Sequence, residues 1–104
     1  MNIKFIKKVE ILSCELNVIW DKSHDGGSFA LGKSELIIGI KSYKIDPLYT
    51  ISIISHEVME MILQLMGGRY DNGRLVNDFL FSFNHQTFEN AIQLHTQTMN
   101  KFLS

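Results

Sequence analysis

Hydrophobic and polar positions alternate through the first forty residues and recur at three- and four-residue spacing in the second half, so the chain reads as sheet followed by helix. Cys14, Leu16, Val18 and Trp20 alternate with Glu15, Asn17 and Ile19, the period-2 signature of a strand with one buried face. Lys8 to Leu12 reads as an upstream extension of this strand, with a change of phase near Ser13. Asp25-Gly26-Gly27 supplies positive-φ positions for a tight connection; Phe29 and Leu31 alternate after it, and Gly32-Lys33 turns the chain again. Leu36, Ile38 and Ile40 then share one face of a third strand, expected near the edge of the sheet.

Asp46-Pro47 is a helix start, because Asp caps free backbone amides and Pro is tolerated at the first helical position. The helix is predicted from Pro47 to about Met66, with Gly67-Gly68 as a left-handed C-cap and a loop from Arg69 to Arg74 that contains the turn pair Asn72-Gly73. Val76 to Phe83 is apolar without an assignable period. Asn84 is an N-cap for a last helix whose His85, Phe88, Ile92, His95, Met99 and Phe102 fall on one face, expected to point inward. Phe79, Phe81, Phe83 and Phe88 read as core. The resulting expectation is an α+β fold over residues 1–104 as a single domain: a small, largely antiparallel sheet of about three strands packed on a central helix and a C-terminal helix.

Composition narrows the function classes. A chain of 104 residues, 45% hydrophobic and 20% charged, is sized for one core and is neither a disordered nor a collagen-like polymer. The net charge of -1, with no basic cluster beyond Lys7-Lys8, lacks an electrostatic footprint for nucleic acid, so none is expected as a partner. Cys14 is the single cysteine, which excludes a disulfide framework and reads as a small buried hydrophobe. No stretch approaches the roughly 20 apolar residues of a membrane span, and the first residues lack an apolar signal run. A soluble, cytoplasmic protein without membrane association is expected.

The chemistry concentrates on the central helix. From Leu48 to Met66 it carries no Lys or Arg, and its apolar residues point in nearly every direction, as in a buried helix. Glu57 and Glu60 stand out there, like charges with no basic residue at i±3 or i±4, and burying them requires compensation. His56 and Glu60 are four apart, about one turn and roughly 5–6 Å between Cβ atoms, so both can converge on one ion. Glu57 is offset by about 100° and can lean toward a water held by that ion. Two His and one Glu form an accepted catalytic zinc set, which makes His85, on the inward face of the last helix, the expected third ligand. Glu89, one turn later, is a fourth ligand or an acceptor that orients the His85 ring. His95 lies roughly 15 Å farther along that helix and reads as core or as a neighbour of the ligands. His24 reads as a turn residue.

The motif His56-Glu57-Val58-Met59-Glu60 resembles the H-E-x-x-H helix of zincin metallopeptidases, and the span from about residue 27 to 89 is similar to minimal gluzincin-like proteins and to short metallopeptidases predicted in phages and mobile elements. Gly27-Ser28-Phe29, the strand Glu35-Leu36-Ile37-Ile38-Gly39-Ile40, the helix with Ser55 to Glu60, and Phe83-Asn84-His85-Gln86-Thr87-Phe88 carry the resemblance. It implies that His56 is a ligand and Glu57 the general base, and that the strand before the active helix aligns an extended peptide along the sheet edge, here residues 36–40. The second outer position departs from the pattern, holding Glu60 in place of His.

The leading expectation is therefore a zinc-dependent, peptidase-like hydrolase in which His56, Glu60 and His85 hold the metal and Glu57 is catalytic. The alternative is a non-catalytic interaction module on the same scaffold, a phage or mobile-element accessory protein with a structural metal or none, because an extra anionic ligand lowers the acidity of bound water. Iron or manganese replaces zinc if Glu89 enriches the site in oxygen. A competing structural reading has Arg69 and Arg74 fold back onto Glu57 and Glu60 as an ion-pair cluster. Arg69 and Tyr70 are also placed to stabilise an oxyanion.

Overall fold

A computed structural model describes residues 2–67, 69–71, 79–81 and 84–104. The protein is α+β: four strands form a mixed sheet, and two helices pack on it. In chain order these are β1 (Lys8–Ile11), β2 (Cys14–Asp21), β3 (Gly27–Ala30), β4 (Glu35–Gly39), α1 (Pro47–Leu65), a two-stranded hairpin of β5 (Arg69–Asp71) and β6 (Phe79–Phe81), and α2 (His85–Phe102). The sheet order is β1-β2-β4-β3, with β2 and β4 parallel and the two flanking pairs antiparallel.

The predicted upstream extension of β2 is instead a separate strand. Leu12 and Ser13 both adopt positive φ (50° and 64°), which folds β1 back on β2 as a two-residue hairpin with Ile11 opposite Cys14. Leu-Ser is not the Asn-Gly pair that marks such turns in a sequence, so the reversal reads there only as a change of phase. Alternation then works as expected: Val9, Ile11, Leu16, Val18, Leu36 and Ile38 are buried on one face of the sheet.

The third strand, expected at an edge, lies inside. β4 is bonded to β2 on one side and β3 on the other, so residues 36–39 have no free edge, and the edge nearest α1 is β3. The reason is the β2–β3 connection, which crosses the end of β4 instead of closing a hairpin. Gly39 donates to Gly26 O (2.7 Å) and Lys41 to His24 O (3.1 Å), and a Cβ at Gly39 would overlap the His24 carbonyl and the Asp25 backbone. Asp25 secures the crossing by accepting from Ser42 N (3.0 Å) and Ser42 Oγ (2.6 Å), contacts that hold its carboxyl below the usual carboxylate range. His24 is the exposed turn residue expected, its Nδ1 2.9 Å from Asp21 Oδ2.

α1 begins as predicted, with Asp46 accepting from Tyr49 N (3.2 Å) and Pro47 in the first turn, and it ends before Gly67, which has φ 77°. α2 is capped by Asn84, which accepts from Thr87 N (2.8 Å). α1 lies against β3 and β4, and α2 against α1 and β1; Ile54, Val58, Met61, Ile62, Met99 and Phe102 close the core over the sheet. The inward face of α2 is narrower than predicted. Ala91, Thr98, Met99 and Phe102 are buried, whereas His85, Phe88 and Ile92 in its first two turns are exposed. The predicted Asn72-Gly73 turn and the core placement of Phe83 lie outside the described residues, as do the side chains of Phe79 and Phe81.

Candidate metal centre

α1 is less uniformly buried than its composition implies. Ser52, His56, Glu60 and Gln64, spaced by four, form one stripe that faces a groove of about 1120 Å³. Its opposite wall is β3 and the turn after it, from Gly26 to Gly32. The edge strand and the polar stripe of the helix thus enclose one cleft.

Three donors converge in that cleft. His56 Nε2 is 2.7 Å from Glu60 Oε1 and 3.7 Å from Glu57 Oε2, and one ligand atom from each residue lies within 4.8 Å of the other two. The side chains span a gradient of exposure: His56 67%, Glu60 23% and Glu57 7%. The helix supplies the i,i+4 pair directly. Glu57 reaches the same point from the buried side, because Gly27 leaves room for it; a Cβ at Gly27 would stand 2.7 Å from Glu57 Cγ. One imidazole nitrogen and two carboxylates at this spacing have the donor chemistry of a divalent metal site.

No family model, curated protein or solved structure matches the chain. The assignment of the site therefore stands on its geometry.

Of the sequence-predicted residues, the structure gathers His56, Glu57 and Glu60 and leaves His85 apart from them. His85 sits in the exposed first turn of α2, its side chain 84% accessible, with Nε2 2.9 Å from Glu89 Oε1. Among the described residues the group of ligand atoms within 4.8 Å of one another comprises His56, Glu57 and Glu60, without His85 or Glu89. His95 is half-buried at the contact of the two helices, its Nε2 2.9 Å from Ser55 Oγ, next in sequence to His56. The side chains of Arg69 and Tyr70, and Arg74 altogether, lie outside the described residues, and with them the predicted ion pairs and oxyanion contact.

Two contributors to the cleft escaped the sequence reading. The sequence pattern places Gly27 in a turn, yet Gly26 takes the positive φ (91°) and Gly27 begins β3, where its missing side chain admits Glu57. The Ser52-His56-Glu60-Gln64 stripe was hidden by the density of apolar residues, although its four-residue spacing marks one open face.

Proposed function

We propose that His56, Glu57 and Glu60 form the metal centre of a small zinc-dependent hydrolase acting on peptides or on substrates of similar amide chemistry. The observation that carries this reading is the convergence of three donors on the wall of a groove whose other wall is a sheet edge. His56 and Glu60 would hold the ion from one helical face, and the groove gives water and substrate access to it. Zinc bound there would supply Lewis-acid activation of a carbonyl and of water. Glu57, buried behind Gly27, accepts the proton of the attacking water on its carboxylate and returns it to the leaving group. An extended substrate pairs with the outer edge of β3, which takes the place assigned to residues 36–40 from the sequence. The reading needs no contribution from His85, which would have to leave Glu89 to join the site.

A second reading follows from one further observation. Glu57 reaches the same 4.8 Å group as the other two donors, so the shell contains two carboxylates and one imidazole, a set that also suits manganese or iron.

The test combines metal content with turnover. Elemental analysis of protein purified without chelator should find about one zinc per chain. Glu57→Gln should retain the metal and lose amide hydrolysis, while His56→Ala loses both and His85→Ala keeps both. Metal-free protein whose melting ignores added zinc, manganese and chelator would refute a metal centre. A metal-loaded protein that cleaves no member of a peptide library would leave the site structural and make β3 the binding edge of an interaction module.

A further inference from the structure

A second surface stands apart from the groove. Ile45, in the turn before α1, is 90% exposed and Leu48, in its first turn, 72%; Tyr49 and Phe5 are also exposed, and none of the four lines the groove. Exposed apolar side chains scattered singly are ordinary, but three of these lie within five residues, Ile45 to Tyr49, and Phe5 is tied to the same segment. The residue 3–7 and 41–49 segments are joined through Tyr43: its hydroxyl accepts from Ile3 N (3.3 Å), and its ring meets Phe5 edge-on at 5.5 Å. Phe5 is seated from behind by Trp20 at 5.0 Å, and the Trp20 indole donates to Ile6 O (2.9 Å). The patch therefore has a rigid base.

Its charge differs from that of the rest of the protein. Lys4, Lys7, Lys41 and Lys44 are all exposed in these two segments, against Asp46, whose carboxylate caps α1, and Asp25, which accepts from Ser42 and lies near Lys41; the whole chain nonetheless carries -1. We propose that this surface docks on an anionic lipid bilayer, with Ile45 and Leu48 entering the acyl boundary, Phe5 and Tyr49 at headgroup level, and the four lysines against lipid phosphates and carboxylates. Protruding aliphatic tips, aromatic rings and flanking lysines are the combination that binds bilayers peripherally. None of the described helices is long and apolar enough to cross a membrane, so the contact is peripheral. It is independent of the metal centre.

Co-sedimentation of the full chain with vesicles tests this. The protein should pellet with vesicles containing phosphatidylserine at low salt and much less at high salt or with phosphatidylcholine alone. Ile45→Asp/Leu48→Asp should lower the partition by about tenfold or more, at unchanged melting temperature, since both side chains are already in water. Lys41→Glu/Lys44→Glu should lower it without touching an apolar contact. Wild-type protein that stays in the supernatant, or an aspartate variant that pellets equally, would overturn the proposal. So would a dimer in vesicle-free solution abolished by the same aspartates, which would assign the patch to a second copy, or equal binding to soluble polyglutamate, which would assign it to an acidic protein.

Discussion

Replacing Gly27 by Ala tests whether the edge strand positions the buried acid. The new Cβ would lie 2.7 Å from Glu57 Cγ and 3.1 Å from both Ile37 O and Ile53 Cγ2, while ordinary contact begins near 3.4 Å. The Ile37 carbonyl belongs to the bonded β3–β4 ladder, so the side chains must give way, and Glu57 Cγ has to retreat by about 0.7 Å, the difference between 3.4 and 2.7 Å. Overpacking of this kind costs about 1–3 kcal/mol. For a domain of this size that corresponds to a fall of roughly 4–8 °C in Tm per kcal/mol. Moving the general base by this distance should also lower amide hydrolysis by about 10- to 100-fold while the protein retains its zinc, the range seen when groups that orient a site are lost. Turnover of the zinc-loaded protein and thermal melting measure the two effects separately. Gly32→Ala is the control, because it lines the same groove and a Cβ there meets nothing within 4 Å. Wild-type turnover in zinc-loaded Gly27→Ala, or an equal loss in Gly32→Ala, would refute the positioning of Glu57 by the strand.

Two further predictions concern the frame around the site. Leu12→Asn/Ser13→Gly should raise stability by about 1 kcal/mol or more, because both residues hold positive φ that Asn and Gly adopt more readily; an unchanged Tm would contradict the hairpin geometry. Ser42→Ala removes the largest cause of the lowered Asp25 pKa, so the Asp25 carboxyl should titrate closer to its ordinary 3.8 by NMR. Because a depressed acid contributes stability above its unfolded pKa and loses it as pH falls through the folded value, the Tm gap between wild type and Ser42→Ala should be full at neutral pH and close below about pH 3.8; a gap constant with pH would oppose the linkage.

Local signals in the chain were sufficient for the helices and for the i,i+4 pair at the site. Asp46-Pro47 and Asn84 announce their caps because capping depends on side chains adjacent in sequence, and His56 and Glu60 share a face by helical geometry alone. Alternation likewise identified the buried face of β2 and β4, since pleating assigns sides without reference to a neighbour. Sheet order, by contrast, required the tertiary structure. Nothing local distinguishes a meander from a connection that crosses Gly39 and leaves β4 between β2 and β3, and that choice moved the edge from residues 36–40 to Gly27–Ala30. The same choice brought Gly27 over Glu57 and placed the acid with its two partners, a contact between residues thirty apart. The position of His85 was also tertiary: periodicity defines a stripe on α2, but how far the helix overlaps its neighbours decides which turns of that stripe are covered, and the first two, with His85, remain in solvent.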